Sequence, residues 1–170
     1  FDKTGTLTKG EFEVNELLTA DGVSEAELLE AAAYAENFSD HPIAASIKRA
    51  FAKEGNEIAA ERISDVKEVA GHGIRILLDG AEVFAGNEKL LSDNSIAAVP
   101  TEKPGTVVYV AKNGSYMGCV IISDTIKPEA RQAIKSLKQA GVKQTVMLTG
   151  DRKKAGEAVA KELGIDTVYK

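Results

Sequence analysis

One carboxylate stands among small hydroxyl and glycine residues at the start of the chain. Asp2 lies at the end of a predicted strand and is followed by Lys3, Thr4 and Gly5 in the stretch FDKTGTLTKG. In an open parallel sheet, ligands bind beyond the carboxyl ends of the strands, so an acid followed there by a small-residue loop is a place to hold a phosphate. A carboxylate can also accept a phosphoryl group covalently. The opening stretch therefore predicts a phosphate site around Asp2.

A second phosphate-holding arrangement is predicted near the other end of the chain. Thr149 ends the apolar run TVMLT and is followed by Gly150 and Asp151, just before a predicted helix over about 153–163. A hydroxyl and the free backbone N–H groups of a helix N-terminus can hold phosphoryl oxygens. A glycine turn between a strand and a helix is also common without any ligand, and the tripeptide by itself leaves both explanations open.

A glutamate, a histidine, an asparagine and two glycines lie at or near the ends of predicted elements in the middle of the chain. His41 precedes a predicted helix in SDHPIAASI, whose N-cap would be Asp40 or Ser39 and which should form a hairpin with the helix before it. Glu36 lies five residues before His41, and Asn87 lies in AGNEKLL. Gly71 and Gly73, in GHGI, suit a loop where backbone must come close to a ligand. Three of these features also have ordinary explanations: His41 could be an exposed polar residue, the two glycines a hairpin turn, and Asn87 a helix cap.

These motifs together resemble a known family. Residues 2–8, DKTGTLT, match residue for residue the phosphorylation motif of the P-type ATPases, which lie in the haloacid-dehalogenase-like superfamily. Thr149-Gly150-Asp151 resembles the family's second motif, and SDHP at 39–42 resembles the Ser-x-His-Pro element of the heavy-metal-transporting subgroup. Asp124 and Lys127, in SDTIKPEA, match a further family element. In the alternative explanation of that stretch, Asp124 or Thr125 caps the next helix.

The resemblance implies ATP and Mg²⁺ as cofactors and an aspartyl-phosphate intermediate on Asp2. The Asp2 carboxylate and the Thr4 carbonyl would hold the metal ion. The implied catalytic residues are Asp2, Lys3, Thr4, Thr149, Gly150 and Asp151. The implied nucleotide-binding residues are Glu36, His41, Gly71, Gly73 and Asn87, where His41 would contact adenine and Glu36 would accept from its exocyclic amine or orient the imidazole.

Thr4 bears on the choice between two reaction types. Phosphatases of this superfamily usually carry a second aspartate two places after the nucleophile, as the general acid and base that hydrolyses the intermediate. A threonine cannot do that work, so the acyl phosphate should persist, as a pump requires. A phosphatase of the same superfamily is the alternative, and a purely regulatory nucleotide-binding module is a third possibility.

The predicted elements suggest an α/β protein with one domain inserted into another. Alternating segments separated by Asp79-Gly80 and Asn113-Gly114 predict an antiparallel sheet, and Ser24 with Glu27 predicts a capping box for a helix over about 25–37. Strand and helix alternate after Asp124, which predicts a parallel unit. Its first helix is expected over about 128–140, with Ala130, Ala133, Ile134 and Leu137 on one buried face. Residues 1–20 and 123–170 are expected to form an incomplete, partly parallel haloacid-dehalogenase-like domain, and 21–122 an inserted α+β nucleotide-binding domain.

The composition of the chain limits the classes of binding partner that it can have. The 170 residues carry a net charge of −5 without a basic block, which argues against nucleic acid. The apolar runs are too short to span a bilayer. The resemblance implies a fragment of the cytoplasmic part of an integral membrane pump, with the rest of that chain and its transmembrane helices as partners, and with little turnover of its own. KQTVMLTGD resembles zinc, cadmium and lead pumps more than copper pumps.

Overall fold

The structure describes residues 1–151 and 153–170, which form eight strands and five α-helices. In this computed structural model the elements are β1 (Thr8–Thr19), α1 (Glu25–Ala35), α2 (Pro42–Lys53), β2 (Ile63–Val69), β3 (Gly73–Leu78), β4 (Ala81–Gly86), α3 (Glu88–Asp93), β5 (Thr106–Lys112), β6 (Ser115–Ile126), α4 (Ala130–Gln139), β7 (Val146–Leu148), α5 (Lys153–Leu163) and β8 (Thr167–Tyr169). None of the described helices is long and apolar enough to cross a bilayer.

The chain divides into two units. The first comprises Phe1–Phe12, Lys103–Gly105 and Asp124–Lys170, and the second comprises Glu13–Glu102 and Thr106–Ser123. Strands β1 and β6 each have residues in both units.

A six-stranded sheet in the order β1-β6-β5-β4-β3-β2 forms most of the second unit. The pairs from β2 through β6 are antiparallel, as the alternating segments predict. At both predicted hairpin turns the two central residues have positive φ, 51° and 80° at Asp79-Gly80 and 51° and 74° at Asn113-Gly114. Two consecutive positive φ values match the twist of paired strands, which is why Asx-Gly is favoured there.

Two helices, α1 and α2, form the predicted hairpin on this sheet unit. Ser24 accepts from the Glu27 N–H and the Glu27 carboxylate accepts from the Ser24 N–H, which confirms the capping box. The rings of Tyr34 and Phe51 pack edge to face with centroids 6.0 Å apart. The predicted cap of α2, Ser39 or Asp40, is wrong, because the His41 Nδ1 accepts from the Ile43 N–H and so fills that position.

The first unit has the predicted parallel character. Strands β7 and β8 pair in parallel, and Asp2 forms a parallel bridge with Leu148. Helices α4 and α5 contribute Ile134 and Leu163 to a core that also contains Leu7, Met147 and Ile165. Helix α4 begins at Ala130, two residues later than predicted, and Ala133, predicted on its buried face, is exposed.

The alternative explanation of Asp124 and Thr125 as caps of this helix is wrong. Both residues lie within β6, and the N-cap of α4 is Glu129, whose side chain makes no capping hydrogen bond.

Candidate active site and nucleotide-binding residues

Backbone pairing with β7 fixes the position of Asp2. The amino group of Phe1 donates to the Val146 carbonyl at 2.6 Å, and the Phe1 carbonyl accepts from the Leu148 N–H at 2.7 Å. Asp2 then bridges Leu148 in parallel register, so it stands beside the last residue of β7. Its side chain is exposed. The acid is therefore at the carboxyl end of a parallel strand pair, where this kind of sheet binds its ligands.

A wide turn over Lys3–Leu7 carries the chain away from Asp2. The Thr8 N–H donates to the Lys3 carbonyl across this turn, while Thr4 and Gly5 depart from helical geometry. Gly5 has φ +79°, a left-handed conformation that costs glycine least. The turn leaves the exposed Thr4 on the same loop as Asp2, where the Lys3 carbonyl is already bonded within the turn.

Lys3 joins the two predicted phosphate-holding segments. Its side chain is 7% exposed, and its Nζ lies 2.5 Å from Asp151 Oδ2. A buried ammonium needs a partner of opposite charge, and Asp151 supplies it. The ion pair neutralises Asp151 and leaves the carboxylate of Asp2 directed to solvent.

Thr149 and Gly150 lie between the end of β7 and Asp151. The Thr149 N–H donates to the Tyr169 carbonyl at 3.0 Å, and the Thr149 hydroxyl oxygen accepts from the Asp151 N–H at 3.1 Å. Threonine hydroxyls commonly form such a local turn by bonding to the backbone two residues further along the chain. Among the described residues other than its two chain neighbours, none has an atom within 4 Å of the position a Cβ on Gly150 would occupy, so this position is open to approach. Six of six predicted catalytic residues thus lie on two adjoining segments of one unit.

The oxygen donors here suit Mg²⁺ but form only part of a metal site. Within the described residues, no group of three or more His, Cys, Asp or Glu side chains is gathered as a metal site would require. Mg²⁺ is commonly held by one or two carboxylates, with waters and substrate phosphates filling the other positions. The Asp2 carboxylate and the Thr4 carbonyl fit that requirement.

Asn87 and the glycine loop form a second group, in the other unit. The Asn87 Nδ2 donates to the Gly71 carbonyl at 3.0 Å, and its Oδ1 accepts from the Leu90 N–H at 3.0 Å. The proposed helix cap is therefore real, and Asn87 also ties α3 to the loop between β2 and β3. Gly73 has φ +143°, and a Cβ on it would lie 2.2 Å from the Ala85 carbonyl oxygen, so only glycine fits there.

Glu36 and His41 occupy the connection between α1 and α2. Glu36 ends α1, and burial raises the pKa of its carboxyl to about 7, opposed in part by the Lys48 ammonium. Lys48 itself donates to the Asn37 carbonyl at 3.3 Å. The exposed His41 accepts from the Ile43 N–H through its Nδ1 at 3.1 Å, and its own backbone N–H donates to the Ser39 hydroxyl at 3.3 Å. In the described part of the chain, no hydrogen bond or ion pair joins Glu36 or His41 to Gly71, Gly73 or Asn87.

The candidate set omits two residues that contact the loop after Asp2. Lys127 Nζ donates to the Gly5 carbonyl at 2.8 Å, and Asp124 Oδ2 accepts from the Thr8 hydroxyl at 2.5 Å. The SDTIKPEA stretch was the available signal, but residues so far from the loop in sequence cannot be placed against it by local pattern.

Comparisons with known proteins agree with these motifs. A family model described as haloacid dehalogenase-like hydrolase matches residues 1–170. The chain is 52% identical over 169 residues to the cadmium, zinc and cobalt-transporting ATPase of Bacillus subtilis, a match that covers 99% of this chain and 24% of that protein. It resembles a crystal structure of a zinc-transporting PIB-type ATPase in the E2.Pi state with a TM-score of 0.82 and 32% identity, covering 98% of this chain and 28% of that one.

A further solved structure is the catalytic domain of the CPx-ATPase CopB-B, described for its conformational changes upon nucleotide binding. It matches with a TM-score of 0.74 and 27% identity over 99% of this chain and 58% of that one. The chain thus spans about a quarter of the length of the Bacillus subtilis relative.

Proposed function

We propose that this chain, which belongs to the haloacid dehalogenase-like hydrolase family, is the ATP-binding and phosphorylation segment of a membrane pump. The pump would export a heavy-metal ion through an aspartyl-phosphate intermediate. The identity to a cadmium, zinc and cobalt-transporting ATPase supports this assignment, and it favours zinc or cadmium over copper as the transported ion.

One observation carries the proposal. Asp2, the first residue of the phosphorylation motif, pairs beside the end of β7, and its neighbour Lys3 is bound to Asp151 of the second motif. Two motifs separated by more than 140 residues in sequence therefore belong to one site. Neither a turn rich in threonine nor a glycine turn before a helix would require this meeting.

In the proposed reaction, a carboxylate oxygen of Asp2 attacks the terminal phosphorus of ATP. The bond from that phosphorus to the bridging oxygen breaks, and ADP leaves with the electron pair. Lys3 holds Asp151 in place, and the backbone N–H groups around Gly150 would donate hydrogen bonds to the oxygens of the phosphoryl group. Mg²⁺, held by the Asp2 carboxylate and the Thr4 carbonyl, would screen the charge between the carboxylate and the phosphate.

The lifetime of the intermediate depends on Thr4. Its neutral hydroxyl cannot act as the general base that superfamily phosphatases use to activate water. The aspartyl phosphate would then last long enough to drive a conformational change in the parent chain. This is the property that separates a pump from the phosphatase alternative.

Nucleotide recognition is proposed for the second unit. Glu36 and His41 would meet the adenine base, and the loop of Gly71 and Gly73, tied down by Asn87, would admit the rest of the nucleotide against bare backbone. The structural similarity to a catalytic domain studied upon nucleotide binding supports this role. An ionised Glu36 would accept from the exocyclic amine, so affinity should rise as the pH passes its raised pKa of about 7.

We also propose that residues 1–20 and 123–170 act as the phosphorylation domain, with 21–122 as an inserted nucleotide-binding domain, on the cytoplasmic side of the membrane. The remaining domains and transmembrane helices of the parent chain would be its partners. Because the chain spans 24% of the length of its Bacillus subtilis relative, we expect the 170-residue chain to bind ATP but to transfer its phosphate poorly without the remaining domains.

The test is a phosphoenzyme assay on the intact pump with ATP labelled at the terminal phosphate. Asp2→Asn should abolish the acid-stable, hydroxylamine-sensitive label. Asp21→Asn, an exposed acid in a surface turn, is the matched control and should keep it. Label that persists in Asp2→Asn would refute the assignment of the nucleophile.

Titration calorimetry of the 170-residue chain with ADP tests the binding half. Glu36→Gln and His41→Ala should each weaken binding, whereas Asp2→Asn should not. Rapid release of phosphate from a simple monoester by the unmodified chain would instead favour the phosphatase.

A further inference from the structure

The loop that follows Asp2 has little internal support. In the described structure the turn is closed at the Lys3 carbonyl, which accepts from the N–H and the hydroxyl of Thr8, while Thr4 and Gly5 inside it are not helical. Loss of about 1 Å of precision in a reacting group can cost as much as a hundredfold in rate. Something outside the loop must therefore hold it if Asp2 is to react in line with a phosphoryl group.

Three hydrogen bonds from the segment 124–127 supply that support. Lys127 Nζ donates to the Gly5 carbonyl at 2.8 Å, and the Lys127 N–H donates to the Leu7 carbonyl at 3.0 Å. The Thr8 hydroxyl, itself 3.1 Å from the Lys3 carbonyl oxygen, donates to Asp124 Oδ2 at 2.5 Å. The loop is thus held at its apex and at its end by residues more than 110 positions away.

Burial indicates that Asp124 is not there for stability alone. The residue is 7% exposed and Thr8 is fully buried, and Asp124 Oδ1 is buried with no hydrogen-bond partner in the described structure. Leaving a buried polar atom unpaired is costly, so an apolar side chain of similar size would stabilise this position better. In the described structure the hydrogen bond of the Asp124 side chain is the one that Oδ2 accepts from Thr8 of the loop, and its length is typical of a charge-assisted hydrogen bond.

We propose that Asp124 and Lys127 are positioning residues that hold the phosphorylation loop for transfer to Asp2. This inference rests on the proposed function and adds to it two residues that touch neither nucleotide nor phosphate. Asp124 acts through the Thr8 hydroxyl, and Lys127 acts through the Gly5 carbonyl. The Lys127 ammonium also brings a positive charge to the loop that receives the phosphoryl group.

The experiment measures phosphoenzyme formation at saturating ATP and the dissociation constant for ADP, in the intact pump. Lys127→Met removes the donor and keeps the length of the side chain, and it should slow phosphorylation by at least tenfold with ADP affinity changed less than twofold. Lys127→Arg keeps a donor and should recover most of the rate. Lys135→Met, an exposed lysine on α4, is the matched control and should phosphorylate at the normal rate.

A second pair of variants tests Asp124 through its partner. Thr8→Val should slow phosphorylation and Thr8→Ser should not, and Asp124→Asn combined with Thr8→Val should be no slower than the slower single variant. If Asp124→Asn fails to fold, the half-exposed Lys127 pair decides the question. Normal phosphorylation by Lys127→Met, or a defect that Lys127→Arg shares in full, would overturn the proposal.

Asp2→Asn separates this inference from the one on which it rests. If Asp2→Asn abolishes the phosphoenzyme while Lys127→Met and Thr8→Val leave its rate unchanged, the positioning role fails and the proposed function stands. If Asp2→Asn remains phosphorylated, both fail.

Discussion

Replacing Glu36 by glutamine should change how the stability of the chain depends on pH. Burial raises the pKa of the Glu36 carboxyl from 4.5 to about 7 in the folded chain, although the Lys48 ammonium lowers it. The folded state therefore binds the Glu36 proton more tightly than the unfolded state does. The stability from this proton is fully present below about pH 4.5 and is lost as the pH rises through about 7.

The size of the effect follows from that difference in pKa. A tenfold difference in proton affinity corresponds to about 1.4 kcal/mol, and part of the unfolded-state titration lies below pH 5. Between about pH 5 and about pH 8.5, the wild type should lose on the order of 2.5 kcal/mol relative to Glu36→Gln, whose amide does not titrate. Lys48→Met should move the loss to higher pH, because it removes the charge that favours the carboxylate.

Urea denaturation at the two pH values gives this comparison directly. Glu57→Gln, in an exposed position of the same unit, controls for the general effect of removing a negative charge. A free-energy difference between wild type and Glu36→Gln that is the same at both pH values would refute the argument that the Glu36 carboxyl is held protonated by burial. Calorimetry with ADP at the same pH values then tells whether the ionised form is the one that binds.

Three further substitutions test the framework that holds the sites. Gly73→Ala should destabilise the chain by about 3 kcal/mol in urea denaturation, because its Cβ would lie 2.2 Å from the Ala85 carbonyl oxygen. Gly150→Ala, whose Cβ would meet none of the described residues beyond its chain neighbours within 4 Å, should cost far less, and equal costs would contradict this reasoning. Ser24→Ala should cost about 1 kcal/mol through loss of the capping box, and unchanged thermal unfolding would count against it. Ile134→Val, at a fully buried position, should cost about 1 kcal/mol by the same denaturation assay, and no loss would mean that the packing there is loose.

Most of the secondary structure could be predicted from the sequence because it depends on neighbours within a few residues. The capping box at Ser24, the two Asx-Gly hairpin turns and the bounds of α5 are all local signals, and each is confirmed. The wrong N-cap of α2 reflects neighbouring residues that can cap a helix with similar energies. His41 replaced Ser39 or Asp40 as the cap of α2, because its imidazole could also reach the Ile43 N–H.

The candidate site was predictable in its residue types but not in its contacts. The motif at residues 2–8 identified Asp2, Lys3 and Thr4, and the comparisons agree with the family it resembles. It gave no sign that Lys3 would be buried against Asp151, or that Asp124 would lie in a strand and bond to Thr8. These contacts depend on where distant segments return.

The order of charged, small and apolar residues along the chain determined most of the strands, helices and turns, and it singled out Asp2 as the carboxylate proposed to accept a phosphoryl group. Only the tertiary structure decided which charges are buried and what they face. Lys127 donates to Gly5 across 122 positions in sequence, and burial that no local pattern predicts raises the pKa of the Glu36 carboxyl. The reason is physical: propensity and capping act over one or two turns of backbone, whereas desolvation and long-range hydrogen bonds exist only once the chain has packed.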